Sequence, residues 1–346
     1  MEIEIEEALS RSDLAFIDLR SPGEHAESSI PGSVNIPLFN DSEHRHLGTI
    51  YHEQGELAAR KKALSIVAPK LPGLLESITV QSGYKIPLLY CARGGMRSLS
   101  MYQVISLTGN TVLRLKQGYK AYRRYVNRKL AAYHLSAKAV VLYGLTGVGK
   151  TTLLCKLEER GLPVIDLEGL ARHRGSVFGA IGAMVPRSQK DFDAILLGKL
   201  NRLYDKPYFI IEGEGKRIGN VYLPAFLVRA MNEGHQILVT ASLETRVGRI
   251  IEEYEPENLS SEEMKGVEKA LESLYRRLGH KKISSLVKTL ERGDYRSVVK
   301  TLCTDYYDHF YSDSRPESAR FDDIIDASDL EQAADLLYRK VVKMPF

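Results

Sequence analysis

Ala139-Val140-Val141-Leu142-Tyr143-Gly144-Leu145-Thr146-Gly147-Val148-Gly149-Lys150-Thr151-Thr152 runs from an apolar strand through a glycine-rich turn into the start of a helix. This is the full Walker A pattern, strand before and helix after. Glycines in such a turn let successive backbone N–H groups wrap a polyphosphate. Lys150 neutralises its charge, and the Thr151 hydroxyl suits Mg²⁺. The expected diphosphate contacts are Gly144, Thr146, Gly147, Val148, Gly149, Lys150, Thr151 and Thr152.

Downstream, apolar runs at residues 163–167, 208–211 and 236–240 alternate with helical patterns. That alternation predicts a parallel sheet with covered faces, and such sheets bind ligands at the carboxyl ends of their strands. Asp166, Glu168, Glu212 and Glu214 fall at that edge. Glu212 and Glu214 stand where a second acid for Mg²⁺ belongs, although Glu214 reads equally well as a solvated loop carboxylate. The stretch from Glu168 to Ser176 adds Arg172, His173 and Arg174. Arg246 and Arg249, three apart on one helical face, suit either a phosphate or surface ion pairs. A guanine-selecting Asn-Lys-x-Asp pattern is absent. Beyond residue 255, to about 315, the chain reads as a helical extension rich in Lys and Arg.

Upstream, Leu88-Leu89-Tyr90-Cys91-Ala92-Arg93-Gly94-Gly95-Met96-Arg97-Ser98 is another strand, turn and helix start. Cysteine reacts as thiolate. Inward-pointing loop amides, a helix expected to begin at Ser98, and the charges of Arg93 and Arg97 would surround the sulfur with positive potential. Gly-Gly and two arginines serve no core, which separates Cys91 from an ordinary packed cysteine. Cys155 and Cys303 read as packing residues. The candidate site is Cys91 with an oxyanion loop of Arg93, Gly94, Gly95, Met96, Arg97 and Ser98. Strands at residues 14–19, 34–37, 86–90 and 111–115, with a helix at 98–108, complete a smaller α/β unit.

At 346 residues the chain is long for one domain, and the motifs divide it into units at 1–130 and 137–346. Net charge is only +4, so a polyanion must be met by a local basic patch. Three widely spaced cysteines make neither a disulfide framework nor a metal site. The acidic amino terminus does not read as a signal peptide, and no apolar run is expected to approach the roughly 18 residues of a membrane span. A reduced, cytoplasmic location without a membrane partner is the expectation. At residues 117–130, Lys120, Arg123, Arg124, Arg128 and Lys129 interleave with Tyr119, Tyr122 and Tyr125. Single-stranded RNA sites use that mixture. An amphipathic helix with its tyrosines turned inward fits the same residues.

The cysteine loop, Asp18-Leu19-Arg20-Ser21-Pro22-Gly23-Glu24 and Ile30-Pro31-Gly32-Ser33-Val34-Asn35-Ile36-Pro37 together resemble the rhodanese family, whose domains carry sulfur or selenium on a cysteine. The resemblance casts Asp18, Arg20 and Glu24 as braces of the fold. Five residues separate Cys91 from Arg97, one more than the common rhodanese loop and equal to the cysteine phosphatase spacing. Phosphatase activity is therefore an alternative, though Tyr90 stands where those enzymes usually have His.

Taken with the Walker A unit, further stretches resemble the tRNA 2-selenouridine synthase family: Gly118-Tyr119-Lys120-Ala121-Tyr122-Arg123, Asp166-Leu167-Glu168-Gly169-Leu170-Ala171 through Ser176, Glu212-Gly213-Glu214 through Gly219, and Tyr306-Tyr307-Asp308. That resemblance implies a rhodanese-like α/β domain followed by a P-loop NTPase-like α/β domain. It implies a transferase acting on wobble 2-thiouridine, or its 5-substituted forms, in the Lys, Glu and Gln tRNAs. Sulfur is first geranylated by geranyl diphosphate, and selenium from selenophosphate then replaces the geranylthio group. Cys91 would handle selenium and Gly144–Thr151 the diphosphate. Lys120, Tyr122, Arg123, Arg124, Arg172, His173 and Arg174 would meet tRNA, and protein partners are left open. The rival classes are a P-loop kinase or Cys-x5-Arg phosphatase acting on a small molecule, and a noncatalytic sulfur-relay or RNA-binding module.

Overall fold

The computed structural model describes residues 1–173, 185–309 and 321–345. Arg174, Gly175 and Ser176, and the end of the helical extension expected near residue 315, lie outside them. The chain forms two compact units, Met1–Ala132 with Lys190–Leu197, and Tyr133–Gln189 with Gly198–Phe346.

In the first unit, β1 (Glu2–Ile3), β2 (Leu14–Asp18), β3 (Val34–Asn35), β4 (Ile86–Tyr90) and β5 (Leu113–Leu115) form one parallel sheet in the order β1-β5-β4-β2-β3. Central β2 and β4 are continuous apolar runs, as strands covered on both faces require. Ile17, Leu88 and Leu89 are fully buried there. The helices are α1 (Ile5–Ser10), α2 (Pro22–Glu27), α3 (Asp41–Gln54), α4 (Glu56–Val67), α5 (Leu71–Ser82), α6 (Met96–Leu107) and α7 (Gly118–Ala131). Ser21 and Glu24 make a reciprocal capping box at the start of α2, and Asn40 and Glu43 make one at α3.

One expectation is corrected here. The helical run Glu56–Ser82 contains an 18-residue window of mean hydropathy 1.3, apolar and long enough by those measures to cross a membrane, with 11% of it buried. Its charged residues are few enough that helix geometry merges short apolar pieces into one stretch. Val67 and Ile78 of this run are buried in the first unit's core, and Lys70 Nζ donates to Glu43 at 2.6 Å.

The second unit is built on β6 (Lys138–Tyr143), β7 (Val164–Ile165), β8 (Tyr208–Glu212), β11 (His235–Thr240) and β12 (Asp323–Asp326), a parallel sheet ordered β12-β11-β6-β8-β7. Strands β9 (Arg217–Ile218) and β10 (Val221–Tyr222) pair separately as an antiparallel hairpin. Its helices are α8 (Lys150–Glu159), α9 (Leu167–Ala171), α10 (Gln189–Arg202, shared between the units), α11 (Ala225–Glu233), α12 (Leu243–Tyr254), α13 (Ser261–Ser273), α14 (Tyr275–Leu278), α15 (His280–Glu291), α16 (Tyr295–Leu302) and α17 (Leu330–Lys343). Val140, Leu142, Leu153, Leu157, Ile210 and Ile237 share a core with Ile325 of β12 and Leu337 of α17. Helices α13–α16 close on a smaller core around Leu271, Leu286, Leu290 and Leu302.

Candidate functional site

The cysteine loop joins β4 to α6. Cys91 is 2% exposed, its Sγ 3.3 Å from Ser98 Oγ and 3.9 Å from the Gly95 carbonyl oxygen. The helix starts at Met96 rather than Ser98, so Ser98 lies in its first turn, itself buried although Met96 is exposed. Gly94 holds φ +65°, a conformation glycine adopts without a side-chain clash. An added Cβ there would approach the Gln117 nitrogen to 2.8 Å. Arg114 Nη1 donates to the Gly94 carbonyl at 2.8 Å. The N–H groups of Tyr119 and Lys120 donate to the carbonyls of Cys91 and Ala92, each at 2.9 Å. The first turn of α7 thus clamps the loop's backbone.

Charge at this loop is distributed differently from the expectation. Arg93 is exposed. Arg97 is bound by Glu24, with donor distances of 2.6 and 3.2 Å to its carboxylate oxygens. Burial alone would push the Glu24 carboxyl up, but the Arg97 hydrogen bond outweighs it and holds the group below its ordinary value. Beneath the loop, Asp18 is fully buried and accepts from Arg20 Nε and Nη2 at 3.0 and 2.6 Å. Arg20 also lies 4.0 Å from the centre of the Tyr119 ring. Tyr90 donates to Ser33 Oγ at 2.8 Å.

In the second unit the phosphate loop joins β6 to α8. Gly147 and Gly149 hold φ +83° and +96°, and Lys150 Nζ donates to the Gly144 carbonyl at 2.7 Å. Arg246 and Arg249 of α12 are neither surface ion pairs nor free cations. Arg246 is 3% exposed; its Nε donates to the Thr146 carbonyl at 2.8 Å and its Nη atoms to Asp308 at 3.0 and 2.6 Å. Arg249 donates to the carbonyls of Val148 at 2.7 Å and Ala327 at 2.5 Å. Together they hold two of the loop's carbonyls, those of Thr146 and Val148.

A group of acids borders the loop. Thr151 Oγ1 donates to Glu168 Oε2 at 3.2 Å, and the Glu168 N–H donates to Glu212 Oε1 at 2.6 Å. Glu212 is 1% exposed, and its Oε2 is buried without a hydrogen-bond partner. Burial, then the charges of Asp166 and Glu168, raises the Glu212 carboxyl well above its ordinary range. Burial and the neighbouring Glu214 charge push Glu168 up to about 7, and burial raises Glu214 as well. Among the described residues no three His, Cys, Asp or Glu side chains converge as a metal site.

The expected RNA face needs correction. Tyr122 is 5% exposed and packs inward from α7 beside Tyr119, so it has no face to offer a base. Arg123 is held by Asp193 at 3.1 Å and by the Lys190 carbonyl at 2.7 Å. Lys120 and Arg124 remain exposed. Arg172 is exposed at φ +50°, while His173 is half-buried, and a Cβ on Gly219 would strike its ring. Arg174 lies outside the described residues.

Comparison with known proteins covers both units. The rhodanese-like domain model matches residues 3–125, and the tRNA 2-selenouridine synthase AAA domain model matches residues 137–343. The chain belongs to the tRNA 2-selenouridine synthase family. The family member from Nitrosomonas europaea is 36% identical over 71% of this chain, an alignment spanning 65% of the relative's length. The one from Sulfurovum sp. is 35% identical over 69% of this chain and 65% of its own length. The tRNA 2-selenouridine synthase of Pseudomonas putida is 31% identical over 96% of both chains.

Several connections were invisible to motif reading in this family member. Asp308, quoted only as part of Tyr306-Tyr307-Asp308, is the partner of Arg246. Its distance in sequence from the phosphate loop hid the link. Gly118 and Tyr119 brace Cys91 through backbone groups, which leave no side-chain pattern. Cys155 is exposed rather than packed, whereas Cys303 is buried.

Proposed function

We propose that the protein converts wobble 2-thiouridine in the Lys, Glu and Gln tRNAs to 2-selenouridine in two steps. In the first, the thiocarbonyl sulfur attacks C1 of geranyl diphosphate. The C–O bond breaks, pyrophosphate leaves with its electron pair, and the base loses its N3 proton. In the second, selenium of selenophosphate attacks C2, geranylthiolate departs, and water releases phosphate from selenium. Alkylation matters because a thioether leaves C2 more readily than a thiocarbonyl sulfur does.

The observation that carries this reading is the similarity to tRNA 2-selenouridine synthases along both the cysteine unit and the phosphate-loop unit, 31% identical over 96% of the chain in the Pseudomonas putida relative. The phosphate loop supplies amides and Lys150 for the leaving pyrophosphate. Thr151 and the Glu168 carboxylate offer hard oxygen ligands at one point, which fits Mg²⁺ shared with substrate phosphates. When bound, such an ion would neutralise charge building on the leaving group. The cysteine loop is the selenophosphate site, its Gly94–Gly95 amides and helix start facing the oxyanion. Because Cys91 is buried and paired with Ser98, the loop must open for the donor to reach sulfur.

The test is mass spectrometry of nucleosides from 2-thiouridine tRNA incubated with each donor singly and together. Geranyl diphosphate alone should give the S-geranyl nucleoside, and both donors together 2-selenouridine. Selenium incorporation without the isoprenoid donor contradicts the order of steps.

A further inference from the structure

The β9–β10 hairpin follows the acid group directly. From Glu214 the chain reaches Lys216 two residues on, a span of about 7 Å at full extension. Between Gly215 and Pro224 there is no acidic residue, while Lys216 and Arg217 are both exposed. Alternation along the strands sorts the side chains. Ile218 pairs with Val221, and both are buried. Arg217 pairs with Tyr222 on the outer face. The Tyr222 ring is 59% exposed, and the Arg217 guanidinium carbon lies 5.4 Å from its centre.

A lone exposed tyrosine is ordinary on a protein surface. This one stands on a backbone pinned from two sides. Gln189 Oε1 accepts from the Tyr222 N–H at 2.7 Å, and its Nε2 donates to the Tyr222 carbonyl at 3.1 Å. The glutamine side chain thus pairs with the hairpin's edge as a further strand would. At the turn, Gly219 holds φ +52°, and a Cβ there would strike the His173 ring. The His173 N–H donates to the Glu168 carbonyl at 3.0 Å, and the Glu168 carboxylate accepts from Thr151 of the phosphate loop at 3.2 Å. Contacts through His173 and Glu168 therefore fix the hairpin beside the phosphate loop.

We infer that the outer face of this hairpin is a stacking platform for an unpaired base of the tRNA anticodon loop. Tyr222 takes the face of the base, and Lys216 and Arg217 take the flanking phosphates. Single-stranded RNA sites combine these two features, aromatic faces for unstacked bases and cations for the backbone. A duplex keeps its bases stacked on one another, so the ring selects loop over stem. A protein partner fits less well, because lysine is depleted at the centre of protein interfaces and Lys216 stands beside the ring's neighbour. The inference rests on the reading of the substrate as a wobble uridine in tRNA. It adds the surface that holds the uridine's loop beside the diphosphate-binding residues.

The chain contains no tryptophan, so Tyr222→Trp in the full-length protein places a single indole reporter on the platform. An anticodon stem-loop RNA carrying 2-thiouridine should quench its fluorescence, whereas a fully paired RNA duplex of the same length should not. Tyr222→Ala should weaken binding of the stem-loop by at least about fivefold, and Tyr222→Phe should restore it to within about twofold of wild type, because stacking uses the ring and not the hydroxyl. Affinity for the duplex, which draws on charge alone, should stay within about twofold in both variants. Thermal unfolding of the three variants should match wild type, the ring being exposed. Unchanged stem-loop affinity in Tyr222→Ala overturns the inference. So does equal weakening by Tyr222→Ala and Tyr222→Phe, equal loss of stem-loop and duplex, or equal quenching by both RNAs. If wild type binds neither the stem-loop nor whole tRNA, the reading of the substrate itself fails; normal wild-type binding with Tyr222→Ala unaffected removes the platform alone.

Discussion

The Tyr119 N–H donates to the Cys91 carbonyl over 2.9 Å, so the cysteine loop is held by the first turn of α7. The contact requires Gly118. That residue sits at φ +55°, and a Cβ would run into the Cys91 carbonyl oxygen and the Gly94 nitrogen.

Gly118→Ala should therefore displace the cysteine loop while leaving the second unit's core intact. The expected result is a fall of at least about tenfold in selenium insertion, since small misplacement of reacting groups costs rate steeply. Geranylation by the same preparation should stay within about twofold. Assays on 2-thiouridine tRNA and on S-geranylated tRNA separate the two.

Contacts to tRNA should come from the exposed cations of α7 rather than its tyrosines. Tyr122→Phe should leave affinity unchanged, because the ring is inward. The double variant Lys120→Ala, Arg124→Ala should lower the log–log salt slope of binding by about 1.4, at roughly 0.7 per single-stranded phosphate contact. Filter binding across a salt series reads both.

Asp18 is a buried carboxylate bonded to Arg20 and His25. Burial opposes its ionisation, but the hydrogen bonds from His25 and Arg20 prevail, and its carboxyl is held below the ordinary value. The sign follows: the unfolded chain binds the proton more readily. Asp18 thus contributes fully above about pH 3.9, and that contribution is lost as pH falls through the lower folded value. Asp18→Asn, which leaves Arg20 buried without its counter-charge, should cost about 3–5 kcal/mol at neutral pH. Its stability should then depend less on acid than wild type does. Urea unfolding at pH 7 and pH 3 checks both.

Arg246→Ala should detach the phosphate loop from Asp308. Asp308 loses the Arg246 guanidinium and the Thr146 carbonyl loses its donor, a cost of about 2–4 kcal/mol. Pyrophosphate affinity should drop by at least about tenfold, although Arg246 is buried and spends its donors on the Thr146 carbonyl and Asp308. Calorimetric titration gives the affinity and thermal unfolding the stability.

How much of this is legible in the chain depends on whether a feature is local. The stretches at 88–98 and 139–152 announce themselves, because strand, glycine turn and helix follow within a dozen residues or so. β12 does not: Asp322, Asp323 and Asp326 surround Ile324 and Ile325, and only Ile325 turns to the core. β1 hides in an acidic terminus because it is a two-residue edge strand. The tyrosines of α7 read equally as base-stacking or as packing, and burial decides for Tyr119 and Tyr122. Arg97 looks from sequence like an oxyanion ligand, yet Glu24, far away in the chain, binds it. Arg246 is the same lesson at the second site: residue type suggests phosphate, whereas position assigns it to the Thr146 carbonyl and the Asp308 carboxylate.

The account's central claim is that selenium insertion at the Cys91 loop and geranylation at the Lys150 loop are separate half-reactions. The most direct measurement is nucleoside mass spectrometry on Cys91→Ala and Lys150→Ala, each supplied with either 2-thiouridine tRNA or S-geranylated tRNA. The account predicts that Cys91→Ala still makes the geranylated nucleoside but no 2-selenouridine. Lys150→Ala should fail on 2-thiouridine tRNA yet convert geranylated tRNA to 2-selenouridine. Normal 2-selenouridine output from Cys91→Ala would contradict it.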